Sequence, residues 1–227
     1  GVPTSSGSDA RPAGRRASLP SGARGCALPD GVFVAVVGPS GAGKDSLLKG
    51  AAKALAARTD IRFVRRVVTR VPDRDSEDHD TLSVEAFNAE KARGAFCLDW
   101  SAHGLHYAVP MSALEAARQG CVVVANLSRS ALTDMVHVFD HAMLIEVTAA
   151  REVLAERLTA RNRETPADVE KRLQRAAVFT VPAGLRRHVV IDNSTTLENG
   201  VHAMIEAIIC ARQVHRQSRP ARSLPNR

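Results

Sequence analysis

From Gly31 onward, short runs of β-branched and other apolar residues alternate with stretches whose apolar positions recur at helical spacing. The runs at residues 32–37, 63–68, 121–125, 143–147 and 189–191 are nearly continuous, as strands covered on both faces require, and they predict a mostly parallel sheet. Capping residues place the helices between them: Ser83 before VEAFNAEKAR, Ser128 before RSALTDMVHVF and Thr148 before AAREVLAERLTAR. Thr165-Pro166-Ala167-Asp168 joins a cap, a proline at the first helical position and a carboxylate three residues after the cap, which predicts a helix over residues 166–178. The segment DRDSEDHD at 73–80 holds no apolar residue and reads as a solvated loop. Two extended pieces flanking Gly104, between residues 95 and 109, read as a small antiparallel hairpin beside the main sheet, where a second substrate would be gripped. The expected class is α/β: a mostly parallel central sheet flanked by helices. There is no internal repeat or sustained heptad.

The chain has 227 residues, 44% hydrophobic and 24% charged, enough for one core and too apolar for global disorder. Residues 1–30 and 212–227 are rich in Gly, Ser, Pro and Arg and read as basic extensions on a single domain at 31–211. The formal charge of +7 comes entirely from these ends. They hold nine of the 31 basic and two of the 24 acidic residues, which leaves the body with 22 of each. No domain-wide basic field exists to gather nucleic acid, so specific nucleic-acid binding is not expected. No apolar run reaches the roughly 18–20 residues of a membrane span, and no basic-then-apolar leader opens the sequence. The expectation is a cytoplasmic protein without a membrane partner. Cys26, Cys97, Cys121 and Cys210 lack metal or disulfide spacing and read as reduced, mostly buried thiols.

The first strand runs directly into GPSGAGKDS, and that into an Ala- and Leu-rich helix. Gly38-x-x-x-x-Gly43-Lys44 matches the first seven positions of the phosphate-binding P-loop. In that loop Gly38, Pro39, Ser40, Gly41, Ala42 and Gly43 turn backbone N–H groups toward phosphates, and Lys44 reaches the β- and γ-phosphates. The expected ligand is ATP or GTP with Mg²⁺. Where the rule has Ser or Thr for the metal, the chain has Asp45, followed by Ser46. Asp45 reads either as a metal ligand, directly or through water, or as a carboxylate in a helix's first turn; Ser46 is the alternative ligand.

A GTPase's guanine-reading N-K-x-D is absent, and a body of this size fits a small-molecule kinase. Such kinases need cations over the transferring phosphoryl group. Arg157 and Arg161 stand at helical i and i+4, Arg163 follows, and Lys171-Arg172 lie in the next helix. Beside a P-loop these read as an arginine-rich lid; alone they would read as a salt-bridged surface. Trp100 reads as hairpin core with Phe96 and Leu98.

GPSGAGK, Thr69-Arg70-x-Pro72, Leu82-Ser83-x-x-x-Phe87, Asp99-Trp100 with Gly104-x-His106-Tyr107, and the run from Arg157 to Arg172 resemble the guanylate kinase superfamily over about residues 32–210. Within it, GPSGAGKDSLL, His79 ahead of Thr81-Leu82-Ser83, Trp100-Ser101-Ala102-His103-Gly104-Leu105, and Asn126 to Arg129 are most similar to the ribose 1,5-bisphosphate phosphokinase family. That resemblance implies a P-loop NTPase fold. It also implies transfer of the ATP γ-phosphoryl group to ribose 1,5-bisphosphate, giving 5-phospho-α-D-ribose 1-diphosphate in phosphonate catabolism. Where guanylate kinases read GMP with a serine, an arginine, a tyrosine and a carboxylate, this chain has Arg66, Asp73, His79 and Asn126. The pocket thus looks retuned from a base to an anionic sugar.

Arg70 and Tyr107 are the expected grips for an acceptor phosphate, with Arg66 as an added cation. His79 reads as a phosphate or sugar contact or as a solvated loop residue. Asn126 reads as a ribose ligand or a strand-end cap, and Arg129 as a phosphate contact or a surface residue. A homodimer is compatible with the sequence. The alternatives are a guanylate or other nucleoside monophosphate kinase with a divergent acceptor pocket, and a guanylate-kinase-like binding module without catalysis. Intact Gly43-Lys44 and the arginine run speak against the latter.

Overall fold

The six side chains of β1 (Val32–Val37) are all buried, and its two faces seed two separate cores. The computed structural model describes residues 31–70, 79–160 and 180–217, without the side chains of 79 and 213–217. After β1 come α1 (Lys44–Ala54), β2 (Ile61–Val64), β3 (Arg66–Val68), β4 (His79–Thr81) and α2 (Val84–Ala92). The hairpin β5 (Phe96–Ala102) and β6 (Leu105–Pro110) leads into α3 (Met111–Arg118) and β7 (Val122–Asn126). A 3-10 turn (Arg129–Ala131), α4 (Leu132–Val138), β8 (Ala142–Thr148), α5 (Arg151–Thr159), β9 (Arg187–Asp192) and α6 (Leu197–Gln217) follow.

Five strands form the central sheet in the order β2-β7-β1-β8-β9, every neighbouring pair parallel. Strand order doubles back at β1, so the C-terminal strand ends open into a crevice around the loop that follows it. A second sheet, β4-β3-β6-β5, is mixed: β3 and β4 run parallel, and the other pairs are antiparallel. On one face of β1, Val34 and Val36 pack with Leu47 and Ala51 of α1, Met143 and Ile145 of β8, and Met204 and Ile208 of α6. On the other, Phe33, Ala35 and Val37 pack with Met135 and Phe139 and with Leu98, Trp100 and Val109 of the second sheet. The Phe33 and Phe139 rings stack at 3.9 Å between centroids. A smaller core of Val67, Phe87 and Ala108 fixes α2 to the outer face of the second sheet.

Four expectations need correction. The run at 63–68 is not one strand: β2 joins the central sheet and β3 the second, and the chain switches at exposed Arg65, which pairs with Asp80 at 3.6 Å. Thr148 ends β8 and does not cap the next helix; the Oγ of Ser194, beyond β9, accepts the Ala150 N–H at 2.7 Å instead. Ser128 precedes a 3-10 turn and makes no side-chain cap bond, whereas Ser83 Oγ accepts the Ala86 N–H at 3.1 Å as its position predicts. Cys97, Cys121 and Cys210 are free, as expected, but half-buried; Cys97 Sγ donates to the Val109 and Pro110 carbonyls, and burial raises its pKa to about 11. The end of the expected loop at 73–80 enters β4, while 71–78, the helix expected at 166–178 and Cys26 lie outside the described residues. Among the described residues no helix is long and apolar enough to cross a membrane.

α6 runs through the boundary expected after residue 211 to Gln217, and Arg212 holds Asp60 at 2.6 Å. Asp60 also accepts from Arg58 Nε at 2.8 Å and Nη2 at 2.9 Å. These arginines, Arg58 foremost, hold the Asp60 carboxyl at about 2, below its ordinary value. A depressed folded-state pKa contributes stability that is fully present above about pH 4 and lost as pH falls toward 2. Because the group is partly exposed, Asp60→Asn is expected to lower Tm at pH 7 by only about 1–4 °C. Thermal melts across pH should show the gap between wild type and variant narrowing below about pH 4; a gap that persists undiminished at pH 2 would assign the loss to packing, not charge.

Candidate active site

The loop from Gly38 to Gly43 leaves the C-terminal end of β1 and turns into α1, whose first residue is Lys44. Gly43 occupies the N-cap position at φ 87°, in the left-handed region open to glycine, and a Cβ there would sit 2.5 Å from Asn193 Nδ2. The first-turn N–H groups of α1 are thereby turned to the mouth of the loop, an anion site by both hydrogen-bonding and dipole. Lys44 Nζ donates to the carbonyls of Gly38 at 2.8 Å and Pro39 at 3.0 Å, which holds the ammonium across the cradle.

Asp45 follows in the first turn of α1, exposed at the rim. Its Oδ1 accepts from Asn126 Nδ2 at 2.7 Å, so the end of β7 is tied to the start of α1. Asn126 pairs in register with Val36 and lies on the α1 side of the sheet; its Oδ1 is buried without a partner among the described residues. A carboxylate, the Ser46 hydroxyl and a buried amide oxygen are hard donors, a set that fits a divalent cation beside bound phosphates. Asn126, read from the sequence as a ribose ligand or a strand-end cap, has its amide nitrogen engaged with Asp45.

Asn193, just past β9, was not singled out by the sequence reading. Its side chain is 3% exposed, and its Nδ2 donates to the Ala42 carbonyl at 2.8 Å from 151 positions away in the chain. Its backbone N–H donates to Thr148 O at 2.8 Å and its carbonyl accepts from Arg157 Nη2 at 3.0 Å. Arg157 Nη1 reaches Gly41 O at 3.5 Å. One asparagine therefore joins the phosphate loop to β8 and to the first arginine of the expected lid. The signal in the sequence was a polar residue ending an apolar strand, where parallel sheets place their ligands.

The acceptor candidates sit mostly on the second sheet. Arg66 Cζ lies 5.4 Å from the centroid of the Tyr107 ring, and Tyr107 stacks on Trp100 at 5.5 Å. Arg70 is exposed at the end of that sheet, next to Thr69, whose Oγ1 accepts the His106 N–H at 2.9 Å. Arg129 is paired with Glu146, Nη2 to Oε1 at 3.6 Å, and His188 Nε2 meets the other carboxylate oxygen at 3.0 Å. Burial pulls the Arg129 pKa down, and the Glu146 charge opposes that shift. Arg129 is thus partly buried and not a plain surface residue; its carboxylate partner, 13% exposed, was hidden in the apolar run of β8. Arg161, Arg163 and Arg172 lie outside the described residues, as does the side chain of His79, whose backbone pairs with Arg66 in β4.

No protein-family model matches the chain. Among solved structures it is similar to a guanylate kinase from Anaplasma phagocytophilum, with a TM-score of 0.56 at 16% identity over 81% of this chain and 87% of that one. That likeness shows the fold, a P-loop kinase architecture. Among curated proteins the chain is 44% identical over 175 residues to ribose 1,5-bisphosphate phosphokinase PhnN of Rhizobium etli, covering 77% of this chain and 88% of the relative. It is 46% identical over 181 residues to the protein of the same name from Chelativorans sp., covering 78% and 85%. In Azorhizobium caulinodans a bifunctional ribose 1,5-bisphosphokinase-thymidine phosphorylase matches at 38% identity, with 26% of its length aligned to 79% of this chain. With this identity spread over most of both chains, and with the phosphate loop set in the fold that it requires, the chain belongs to the ribose 1,5-bisphosphate phosphokinase PhnN family.

Proposed function

We propose that the chain transfers the γ-phosphoryl group of ATP to the 1-phosphate of ribose 1,5-bisphosphate, giving ADP and 5-phospho-α-D-ribose 1-diphosphate. The observation that carries this reading is the 44–46% identity to curated kinases of that name over most of the chain. The geometry is consistent with it. A phosphate loop at the end of β1 is flanked by a sheet that presents a guanidinium and a phenol, and the strand end that would offer a carboxylate to guanine carries an amide at Asn126.

An oxygen of the acceptor 1-phosphate attacks the γ-phosphorus, the bond from that phosphorus to the β,γ-bridging oxygen breaks, and ADP leaves with its electron pair. The nucleophile needs no general base, because a phosphate with a second pKa near 6 is mostly dianionic at neutral pH. Positioning and charge neutralisation then supply the rate. Gly38 to Gly43 bind the donor phosphates through main-chain N–H groups, and Lys44 bridges toward the β- and γ-oxygens. Asp45 and Ser46, with Asn126 behind them, are the residues that would hold Mg²⁺, which when bound neutralises charge on the same phosphates. Arg157, with Arg161, Arg163 and Arg172, closes over the donor. Arg66, Arg70 and Tyr107 grip the acceptor, His79 borders it, and Arg129, tied to Glu146, contributes orientation more than net charge.

A coupled assay with Mg-ATP and either ribose 1,5-bisphosphate or GMP tests the assignment. Product from the sugar and none from GMP is expected; product from GMP alone would make the chain a guanylate kinase. Lys44→Ala is expected to lower kcat/KM by at least about 10²-fold, the scale of removing one donor from a developing charge, with an unchanged circular dichroism spectrum. For Asn193→Asp the expected loss is in kcat/KM for ATP, by about tenfold or more, since a carboxylate would face the Ala42 carbonyl. Steady-state kinetics that leave the ATP terms of that variant intact would show that the Asn193 bridge does not shape the loop.

A further inference from the structure

The chain contains one tryptophan and one tyrosine, and the fold stacks them on each other. Trp100 and Tyr107 are direct register partners on β5 and β6, with their rings 10° from parallel. β3 lies on the other side of β6, and from it Arg66 reaches over the same tyrosine ring. The phenol is therefore flanked by an indole on one side and a guanidinium on the other. Trp100 itself is 7% exposed and packed into the core beneath the acceptor side of the central sheet. Its Nε1 has no partner among the described residues, so what the indole contributes here is its flat face, not its donor.

We propose that this three-layer stack is the device that makes the acceptor site select a phosphorylated sugar over a nucleobase, with Trp100 as a positioning residue acting through Tyr107 on Arg66. The inference rests on the acceptor reading above and adds how the choice is made. A nucleobase gains affinity by lying on an aromatic face, and here both faces of the sheet's tyrosine are covered. The cover on the outer side is itself a phosphate ligand: a planar guanidinium held over a ring keeps its charge and its forked donors while losing rotational freedom. The sheet thus attracts one acceptor class and blocks the other with the same group, a positive and a negative element of specificity together. A lysine at position 66 would keep the charge but lose the planar stacking.

Four variants of the full chain separate this from a plain packing role: Trp100→Leu, Trp100→Phe, Arg66→Lys and Arg66→Ala. Trp100→Leu is expected to raise KM for ribose 1,5-bisphosphate about tenfold, the scale of one cation–π contact, while KM for ATP stays within about twofold. Trp100→Phe, which restores a ring, should recover most of the loss. Arg66→Lys, which does not touch the core, should raise the acceptor KM by a similar factor. The emission of the sole tryptophan gives a readout apart from turnover: ribose 1,5-bisphosphate, without ATP, should change wild-type fluorescence saturably and GMP should not. In Arg66→Ala, where one tyrosine face is bared, GMP should produce a saturable change. The proposal is overturned if Arg66→Lys and Trp100→Leu leave the acceptor KM unchanged, if Trp100→Leu raises both KM values alike, or if GMP perturbs the wild-type emission. Failure of the underlying reading looks different: the wild type would not phosphorylate the sugar at all.

Discussion

The catalytic rim depends on how closely the phosphate loop approaches Asn193. At 3% exposure, with its amide on the Ala42 carbonyl and the backbone of Gly43 against its Nδ2, this side chain fills the space where the loop meets the strand beyond β8. Any side chain at Gly43 would displace it, and any loss of its donor would leave a loop carbonyl unmatched in a buried place. The contact also sets Arg157, because the Asn193 carbonyl takes one of its nitrogens while Gly41 takes the other. Loop shape and arginine position are thus fixed by one set of hydrogen bonds, and a change in one is carried to the other.

Strand parity divides the labour on either side of that rim. Successive side chains of a strand point to opposite faces, so the polar residues at the strand ends are sorted into two separate clusters. Asn126, in register with Val36, belongs to the face where α1 and α6 pack, and it meets Asp45 in the first turn of α1. Glu146, in register with Val37, belongs to the opposite face, over which the second sheet lies, and it meets Arg129 and His188. A residue's role at the rim follows from whether its strand position is odd or even.

Much of this was legible in the sequence, and the parts that were not share a physical cause. Buried parallel strands announce themselves as apolar runs, which is why β1, β7 and β8 stand where expected; β9, at the sheet edge with only Ile191 buried, was marked by a shorter run. The hairpin around Gly104 was equally plain. Apolarity does not say which sheet a strand joins, so the run at 63–68 concealed a crossing between two sheets at Arg65. Caps that come from distant segments have no local signature: Ser194 capping α5 from beyond β9, and Asn193 bracing a loop 151 positions away, are consequences of topology. The phosphate loop was readable because its chemistry needs contiguous backbone. The acceptor side was readable only residue by residue, since its contacts cross three strands.

The body's balanced charge, 22 basic against 22 acidic residues, raises the question of how a site for two polyanions arises without a surplus. The contrast between two arginines answers it. Arg157 is steadied by two main-chain carbonyls, dipoles that orient a cation without neutralising it. Arg129 is steadied by the Glu146 carboxylate, so the pair presents direction with little net charge, and burial pulls its pKa down. Arg66 lies over an aromatic ring, a contact that does not itself neutralise a cation. At short range in a crevice the orientation of a few such cations outweighs the sum over the surface, which salt screens within about 8–10 Å. What decides the electrostatics of this rim is therefore the kind of group that holds each arginine: main-chain carbonyls orient Arg157 without cancelling its charge, whereas a carboxylate offsets that of Arg129.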